Sequence, residues 1–395
     1  MHTVLLTCGR GSYSLTLARA FHAAGHRVLV ADAWPRSLCR LSATVDRYFK
    51  VPSPARATAD WIPAIRQIVR QERVELIVPV YEEVFYLAKA NVGSSDPLPL
   101  FAPDFSTLMR LHDKWQFIEQ ARSLGLSVPE TVFLTSREEL VREYARHGKD
   151  RVFKPVYSRF AAHTVARPQN LEAIENAEPT LRRPWVSQAF LSGRPYATFS
   201  IAHHGRLTAH VTYPTDFSHD LGPTVVYRRA DQPAIVEWIR KLVAATKYTG
   251  QIGVDFIEHA SGNVAAIECN PRLTGGFYLL KDNPRAAAAY FDPNMEPIEA
   301  ARDRSYAFRF WLFLTAFRHT KSFPGIREWA RQMFSARSTN AFTLSDPGPR
   351  LLGPALATEF LLRCYREGTS FREMVTRDFE WSEDPEAGET GRLAA

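Results

Sequence analysis

The first hundred residues alternate apolar runs of strand length with helix-periodic segments, and this alternation restricts the fold more than any other feature of the chain. "TVLLTC", "RVLVAD" and "VELIVPV" are separated by "SLTLARAFHAAG" and "WIPAIRQIVRQER", and "EEVFYLAKA" follows the last strand. That order predicts an open, largely parallel sheet covered by helices. The first strand runs into "LLTCGRGSYS", where Gly9 and Gly11 precede a helix and Asp32 closes the next strand. The pattern approaches a dinucleotide-binding fingerprint, whose glycines admit a pyrophosphate to a helix N-terminus. Ser14 stands where that fingerprint asks for its third glycine, so an NAD site rests on the opening glycines alone.

The chain has 395 residues, enough for two or three domains. Its formal charge of +7 comes from single arginines scattered among acids, not from basic runs. This argues against nucleic acid as a partner and for attraction of small anions. Cys8, Cys39, Cys269 and Cys364 are too dispersed for a zinc site or a disulfide framework, which suggests a cytoplasmic, reducing environment. The N-terminus has no secretory pattern. "YAFRFWLFLTAF", from Tyr306 to Phe317, is too short to span a bilayer and contains Arg309. It is expected to form a buried or interface helix, with a membrane-surface segment as the alternative.

The stretch from Asn91 to Pro103, rich in Ser, Pro and Gly, marks a boundary. "DFSTLMRLHDKWQFIEQARSLGL" beyond it reads as one helical stretch, and "REELVREYARHG" as a helix closed by Gly148. "SVPETVFLTS", "RVFKPVYS" and "WVSQAFL" read as strands. "YATFSIAHHGRLTAHVTYP" and "QIGVDFIEHASGNVAAIECN" read as hairpins, with the helix "PAIVEWIRKLVAATKY" between them. The middle of the chain is therefore α+β, and the last hundred residues are expected to be mostly helical.

Chemistry concentrates in "GVDFIEHASGNVAAIECNPRLTGG". Strand alternation places Glu268, Asn270 and Arg272 on one face, and a hairpin brings Asp255 beside Glu268. Asp255, Glu268 and Asn270 form a hard oxygen set suited to Mg²⁺ (or Mn²⁺), and Arg272 is placed to clamp a phosphoryl group. These residues, in type, order and spacing, resemble the ATP-grasp superfamily over residues 1 to about 285. The resemblance implies an ATP-binding ligase in which Lys114 in "LHDKWQF" and Lys154 in "RVFKPVYS" bind phosphates. It also implies that Gln188, Ala189 and Phe190 form the linker against which adenine rests.

Two features depart from the family pattern. Gly193 is followed by Arg194, Pro195 and Tyr196 instead of a ribose-binding acid, and "VYSRFAAHT" lacks the glycines of a phosphate-covering loop. Ser158, Arg159 and His163 are candidate replacement donors. The loop Leu273, Thr274, Gly275 and Gly276 is expected beside the reacting carboxylate, with its amides near a tetrahedral oxyanion. Glu82 or Glu83 would recognise an amine or begin a helix. His203, His204 and His210 read as strand and turn residues. Because the resemblance moves the nucleotide elsewhere, Gly9, Arg10 and Gly11 become a candidate anion nest for a substrate carboxylate or the reacting phosphate.

The expected organisation is α/β and α+β multidomain. A Rossmann-like pre-ATP-grasp domain occupies 1–105, and a linker helix with the small ATP-grasp lobe occupies 106–190. The large lobe with the metal site follows at 191–300, then a mainly helical extension at 301–395. The implied function is ATP- and Mg²⁺-dependent activation of a small-molecule carboxylate as an acyl phosphate, with transfer to an amine and an amino acid as one substrate. Carboxyphosphate chemistry and a non-catalytic nucleotide-binding role are the alternatives. No membrane span is expected, and homodimerisation is left open.

Overall fold

In the computed structural model, which describes every residue except 159–163, 219–223, 315, 317–322, 336, 339–344, 370–373, 375–376 and 382–395, the N-terminal apolar runs become a four-stranded parallel sheet. Its strands are β1 (Thr3–Leu6), β2 (Arg27–Asp32), β3 (Arg47–Lys50) and β4 (Leu76–Val78), in the order β3-β2-β1-β4. The connecting helices are α1 (Ser12–Ala23), α2 (Thr58–Glu72) and α3 (Glu83–Asn91). Strands β1 and β2 are buried almost throughout, as expected of a parallel sheet with both faces covered. Strand β3 was not anticipated. Its sequence, RYFK, ends in cations and lies at the sheet edge, where no continuous apolar run is required.

The single helical stretch expected after the boundary is two helices, α4 (Phe105–His112) and α5 (Lys114–Ser123). Asp113 divides them. Its backbone is extended, and one carboxylate oxygen accepts from the amides of Trp115 and Gln116 at 2.9 and 2.8 Å, capping α5. An antiparallel sheet follows, built from β5 (Thr131–Leu134), β6 (Arg151–Pro155), β7 (Val165–Ala166) and β8 (Trp185–Ala189) in the order β5-β8-β6-β7. Helix α6 (Arg137–His147) is capped by Ser136 and stops at Gly148, whose φ of 43° favours glycine. Leu134, Leu140, Phe153, Ile174 and Trp185 form a core beside this sheet.

A second antiparallel sheet has the order β10-β9-β12-β13 and comprises β9 (Arg194–His203), β10 (Arg206–Pro214), β12 (Gly250–Glu258) and β13 (Val264–Asn270). Between its two hairpins lie β11 (Val226–Arg228) and α7 (Pro233–Ala245). One face of the sheet is closed by α5 and α7 through Phe117, Trp238, Leu242, Val254 and Phe256. The opposite face carries Asp255, Glu268 and Asn270.

The apolar block near residue 306 is not one helix. Tyr306 and Ala307 belong to β14 (Ser305–Ala307), which pairs antiparallel with β11, and only α8 (Arg309–Leu314) follows as helix. Strand pairing and the hydrogen bond from the Tyr306 hydroxyl to Asp282 (2.7 Å) outweigh the local helical pattern. Helix α9 (Phe323–Ser335) leads to β15 (Arg337–Ser338), which adds to β14, so the C-terminal part contains strands as well as helices. Helix α10 (Gly348–Glu367) completes the described elements.

The chain separates into two compact units. One contains residues 1–105, 284–288 and 340–395, and the other contains 106–283 and 289–339. The expected single extension over 301–395 is therefore divided between them. In the first unit Asp346 accepts from Arg19, Ser42 and the Ala43 amide, tying the start of α10 to the N-terminal segment.

His210 lies within the second sheet, with Nδ1 at 2.9 Å from Ser200 Oγ and Nε2 at 2.9 Å from Thr212 Oγ1. Burial, and then Arg240 and Arg229, push its pKa down to about 4. The unfolded chain thus binds the proton more readily, and this contribution to stability is complete above pH 6.5 and lost as pH falls toward 4. Denaturant titrations at several pH values should show His210→Gln removing on the order of 3 kcal/mol of that decline. An unchanged pH slope in the variant would refute the assignment.

Candidate active site

The site begins with a break in strand alternation. Asp255 lies opposite Glu268, but Phe256 lies opposite Ala266, so Ile267 is an extra residue in β13. A bulge of this kind releases a carbonyl from the ladder and re-aims it. The Ile267 carbonyl accepts from Lys154 Nζ at 3.2 Å, and Gln188 Oε1 accepts from the same ammonium at 3.0 Å. Lys154 on β6 and Gln188 on β8 are both buried. The buried ammonium thereby joins the first antiparallel sheet to the second.

Lys114, the first residue of α5, is also buried. Its Nζ donates to the Val156 carbonyl (3.2 Å) and the Ser158 carbonyl (3.0 Å) and lies 3.9 Å from Glu268 Oε2. Two cations therefore stand beside two carboxylates. Burial lowers the Lys154 pKa to about 8, with Lys114 adding to the shift and Glu268 opposing it. Burial, reinforced by Glu268, raises Asp255 to about 7 even though Arg272 and Lys154 act against the shift.

Asn270 connects Asp255 to Arg272. Its Nδ2 lies 3.4 Å from Asp255 Oδ2, while its Oδ1 accepts from the Arg272 guanidinium at 3.1 Å. A divalent cation suits this donor set, because two carboxylates and an amide are hard oxygen ligands and the cation would remove the repulsion that raises Asp255. Ligation by Asn270 would require its amide to turn its oxygen toward the carboxylates. Among the described residues no group of three or more His, Cys, Asp or Glu is placed around a metal-sized space.

Thr198, not singled out from sequence, fixes the neighbouring loop. Its hydroxyl is within hydrogen-bond distance of both the Val254 amide (2.9 Å) and the Val254 carbonyl (3.1 Å), and its own carbonyl accepts from Thr274 Oγ1 at 3.0 Å. Gly253 permits this approach, since a Cβ there would lie 2.5 Å from Thr274 Cγ2. Gly275 and Gly276 are buried under Tyr227 and against Phe199, where side chains would collide. Their observed contribution is close packing, which places the "LTGG" turn over the face bearing Asp255.

Residues 111–276 match the sequence profile of a family described as the ATP-grasp domain. These residues form an ATP-grasp domain. The match runs from just before Lys114 to Gly276 and includes both lysines and the Asp255, Glu268, Asn270 and Arg272 set. N5-carboxyaminoimidazole synthetase from Staphylococcus aureus is similar in fold, with 14% identity, 76% of this chain and 80% of that chain covered, and a TM-score of 0.59. The L-amino acid ligase from Bacillus licheniformis gives 16% identity, 77% and 78% coverage, and a TM-score of 0.56. The biotin carboxylase domain of the 2-oxoglutarate carboxylase from Hydrogenobacter thermophilus, solved with MgADP and bicarbonate, gives 15% identity, 72% and 69% coverage, and a TM-score of 0.57. A comparison with curated proteins gives no significant sequence match.

Several expected roles change. In the segment expected as the linker, the Ala189 amide donates to the Glu130 carbonyl and the Phe190 amide to the Asp150 carbonyl, both at 2.8 Å. Those two donors are therefore engaged within the protein rather than turned toward a purine. Gln188 is the support of Lys154. Ser158 meets Lys114 through its carbonyl, and Arg159 and His163 lie outside the described residues.

The proposed anion nest is occupied by the protein's own Asp32. The Gly9 and Arg10 amides donate to Asp32 Oδ2 at 2.8 and 2.7 Å. The Arg10 side chain adds bonds to both Asp32 oxygens, places NH1 2.7 Å from Asp378 Oδ2, and lies over the Trp34 ring at 4.5 Å. Gly11 admits the Tyr81 hydroxyl, with which a Cβ would collide. These three residues therefore anchor the first unit and do not present a substrate nest. Glu82 is likewise buried and accepts from the Trp381 amide at 3.1 Å, while Glu83 accepts from Thr7, Val80 and Tyr81. Neither carboxylate is presented to an amine.

Asp378→Ala should leave the Arg10 guanidinium short of a buried partner and destabilise the protein by about 3 kcal/mol. Urea unfolding should show an earlier midpoint. Retained stability together with new anion binding would restore the nest assignment.

Proposed function

We propose that the chain is an ATP- and Mg²⁺-dependent ligase that activates a small-molecule carboxylate as an acyl phosphate, releasing ADP, and transfers the acyl group to an amine, releasing phosphate. The supporting observation is that two buried lysines, Lys154 and Lys114, stand beside the Asp255 and Glu268 carboxylates, with Lys114 Nζ 3.9 Å from Glu268 Oε2. A polyphosphate carrying a divalent cation satisfies both charge sets at once. Mg²⁺, when bound, would neutralise phosphate charge and withdraw electrons from the reacting phosphorus.

Asp255 and Glu268 would hold that cation, joined by Asn270 once its amide turns. Lys154, held by Gln188 and the Ile267 carbonyl, would supply a fixed positive charge to phosphate oxygens. Lys114 would supply another from the start of α5. Arg272, oriented by Asn270, would stabilise charge on the phosphoryl group during transfer. Thr274, fixed to Thr198, would position the Gly275 and Gly276 amides beside the activated carboxylate. None of these roles needs a covalent enzyme nucleophile, because positioning and electrostatics account for the transfer.

An amino acid as one substrate is in keeping with the fold likeness to the Bacillus licheniformis L-amino acid ligase. The bicarbonate bound in the Hydrogenobacter thermophilus structure supports a second reading, in which carbonate is the carboxylate that is phosphorylated.

Purified protein with Mg-ATP should release ADP only when a suitable acid and amine are both supplied. Release with bicarbonate alone would select the second reading. Glu268→Gln should lower turnover by roughly 10²–10³-fold with little change in melting temperature. Full turnover in that variant would eliminate the site assignment, and failure to release nucleotide product across a broad acid and amine panel would eliminate the ligase assignment.

A further inference from the structure

The chain between Tyr306 and Thr339 combines apolar and cationic character. It contains Arg309, Arg318, Lys321, Arg327, Arg331 and Arg337 against a single acid, Glu328. Helix α9 is anchored on its inner side, where Trp329 and Met333 pack against a core containing Val226, Ala307 and Leu312. The Trp329 indole also donates to the Leu312 carbonyl at 3.0 Å. Its other apolar residues do not join that core. Phe323 and Phe334 are 80% and 78% exposed, Ile326 is 45% exposed, and Phe313 on α8 is 60% exposed.

Helical spacing makes this exposure a stripe. At 100° per residue, Phe323, Ile326, Ala330 and Phe334 fall within an arc of about 80°. Arg327 and Arg331 fall along one edge of that arc, and both are exposed; Arg331 is paired with Glu328 at 2.8 and 2.9 Å, so Arg327 carries the net charge of this edge. The helix thus has an inward face fixed to the protein, an outward apolar stripe with two phenylalanines, and a cationic margin.

We propose that this face docks on an anionic lipid surface, with α9 lying in the plane of the headgroups. Phenylalanines beside an arginine on a helix of net charge +1 suit the boundary between headgroups and acyl chains, where apolar insertion and attraction to anionic lipid act together. The 13 residues of α9 extend only about 20 Å, and no described helix is long and apolar enough to cross a membrane. The charge balance disfavours a second copy as occupant. An isologous contact through this stripe would bring Arg327 and Arg331 toward the same cations of the other copy. An anionic bilayer turns those cations into attractive contacts.

Sedimentation of the full chain with vesicles tests the proposal. Protein should pellet with phosphatidylglycerol-containing vesicles, pellet at least about 10-fold less with pure phosphatidylcholine vesicles, and release as salt rises. Phe323→Glu combined with Phe334→Glu should reduce the pelleted fraction at least about 10-fold, while Arg327→Glu should reduce it and weaken its salt dependence. All three positions are exposed, and thermal unfolding of each variant checks that the fold is retained. Equal recovery with charged and neutral vesicles would overturn the proposal. So would undiminished pelleting of the folded double variant, or a change in its solution mass, by light scattering, without vesicle binding in the parent protein.

Discussion

The arrangement of the ATP-grasp domain depends on one buried ammonium. Lys154 projects from the first antiparallel sheet and is held at two points, by Gln188 of its own sheet and by the Ile267 carbonyl of the second. The second contact exists because β13 carries a bulge, which takes the carbonyl out of regular strand pairing. The same irregularity leaves Glu268 opposite Asp255 and sets both carboxylates toward the lysines. Burial makes this costly, as the lowered Lys154 and raised Asp255 pKa values show. A ligand carrying both signs of charge would relieve that cost.

The first unit presents a different balance. Its strand-to-helix turn has the shape expected of an anion site, yet the anion is internal. Asp32 receives the turn amides and the Arg10 guanidinium, Asp378 takes a remaining Arg10 donor, and Trp34 lies beneath the cation. Burial pushes the Asp378 carboxyl up, but the charge and hydrogen bond of Arg10, aided by Trp34 and Arg56, hold it below its ordinary value. An external carboxylate at this turn would have to displace a paired, buried one.

The meeting of Asp255 with Glu268, and of Asn270 with Arg272, was legible because it depends on strand pairing and spacing, which are local. Lys154 was legible because a lone lysine stands among Val152, Phe153, Pro155 and Val156. The Ile267 bulge was harder to see. Its trace is that Ala266 and Cys269, an odd distance apart, both contribute to the core beside α5 and α7. Thr198 left no comparable trace, because its role depends on how a distant loop approaches Gly253. The Arg10 site was misread because Asp32, taken only as the end of the next strand, turns its carboxylate onto the Gly9 and Arg10 amides, and Asp378 joins the Arg10 side chain from 368 residues away. Tyr306 shows the limit of local pattern, because pairing with β11 determines its conformation.

Calorimetric titration of ADP into the wild type and Asp255→Asn, with and without Mg²⁺, tests the charge opposition most directly. The wild type should bind ADP more tightly with Mg²⁺. Asp255→Asn should lose most of that metal-dependent gain while keeping the metal-free affinity supplied by Lys154 and Lys114. An equal Mg²⁺ gain in both proteins would contradict the account, because it would place the metal away from the Asp255 and Glu268 pair.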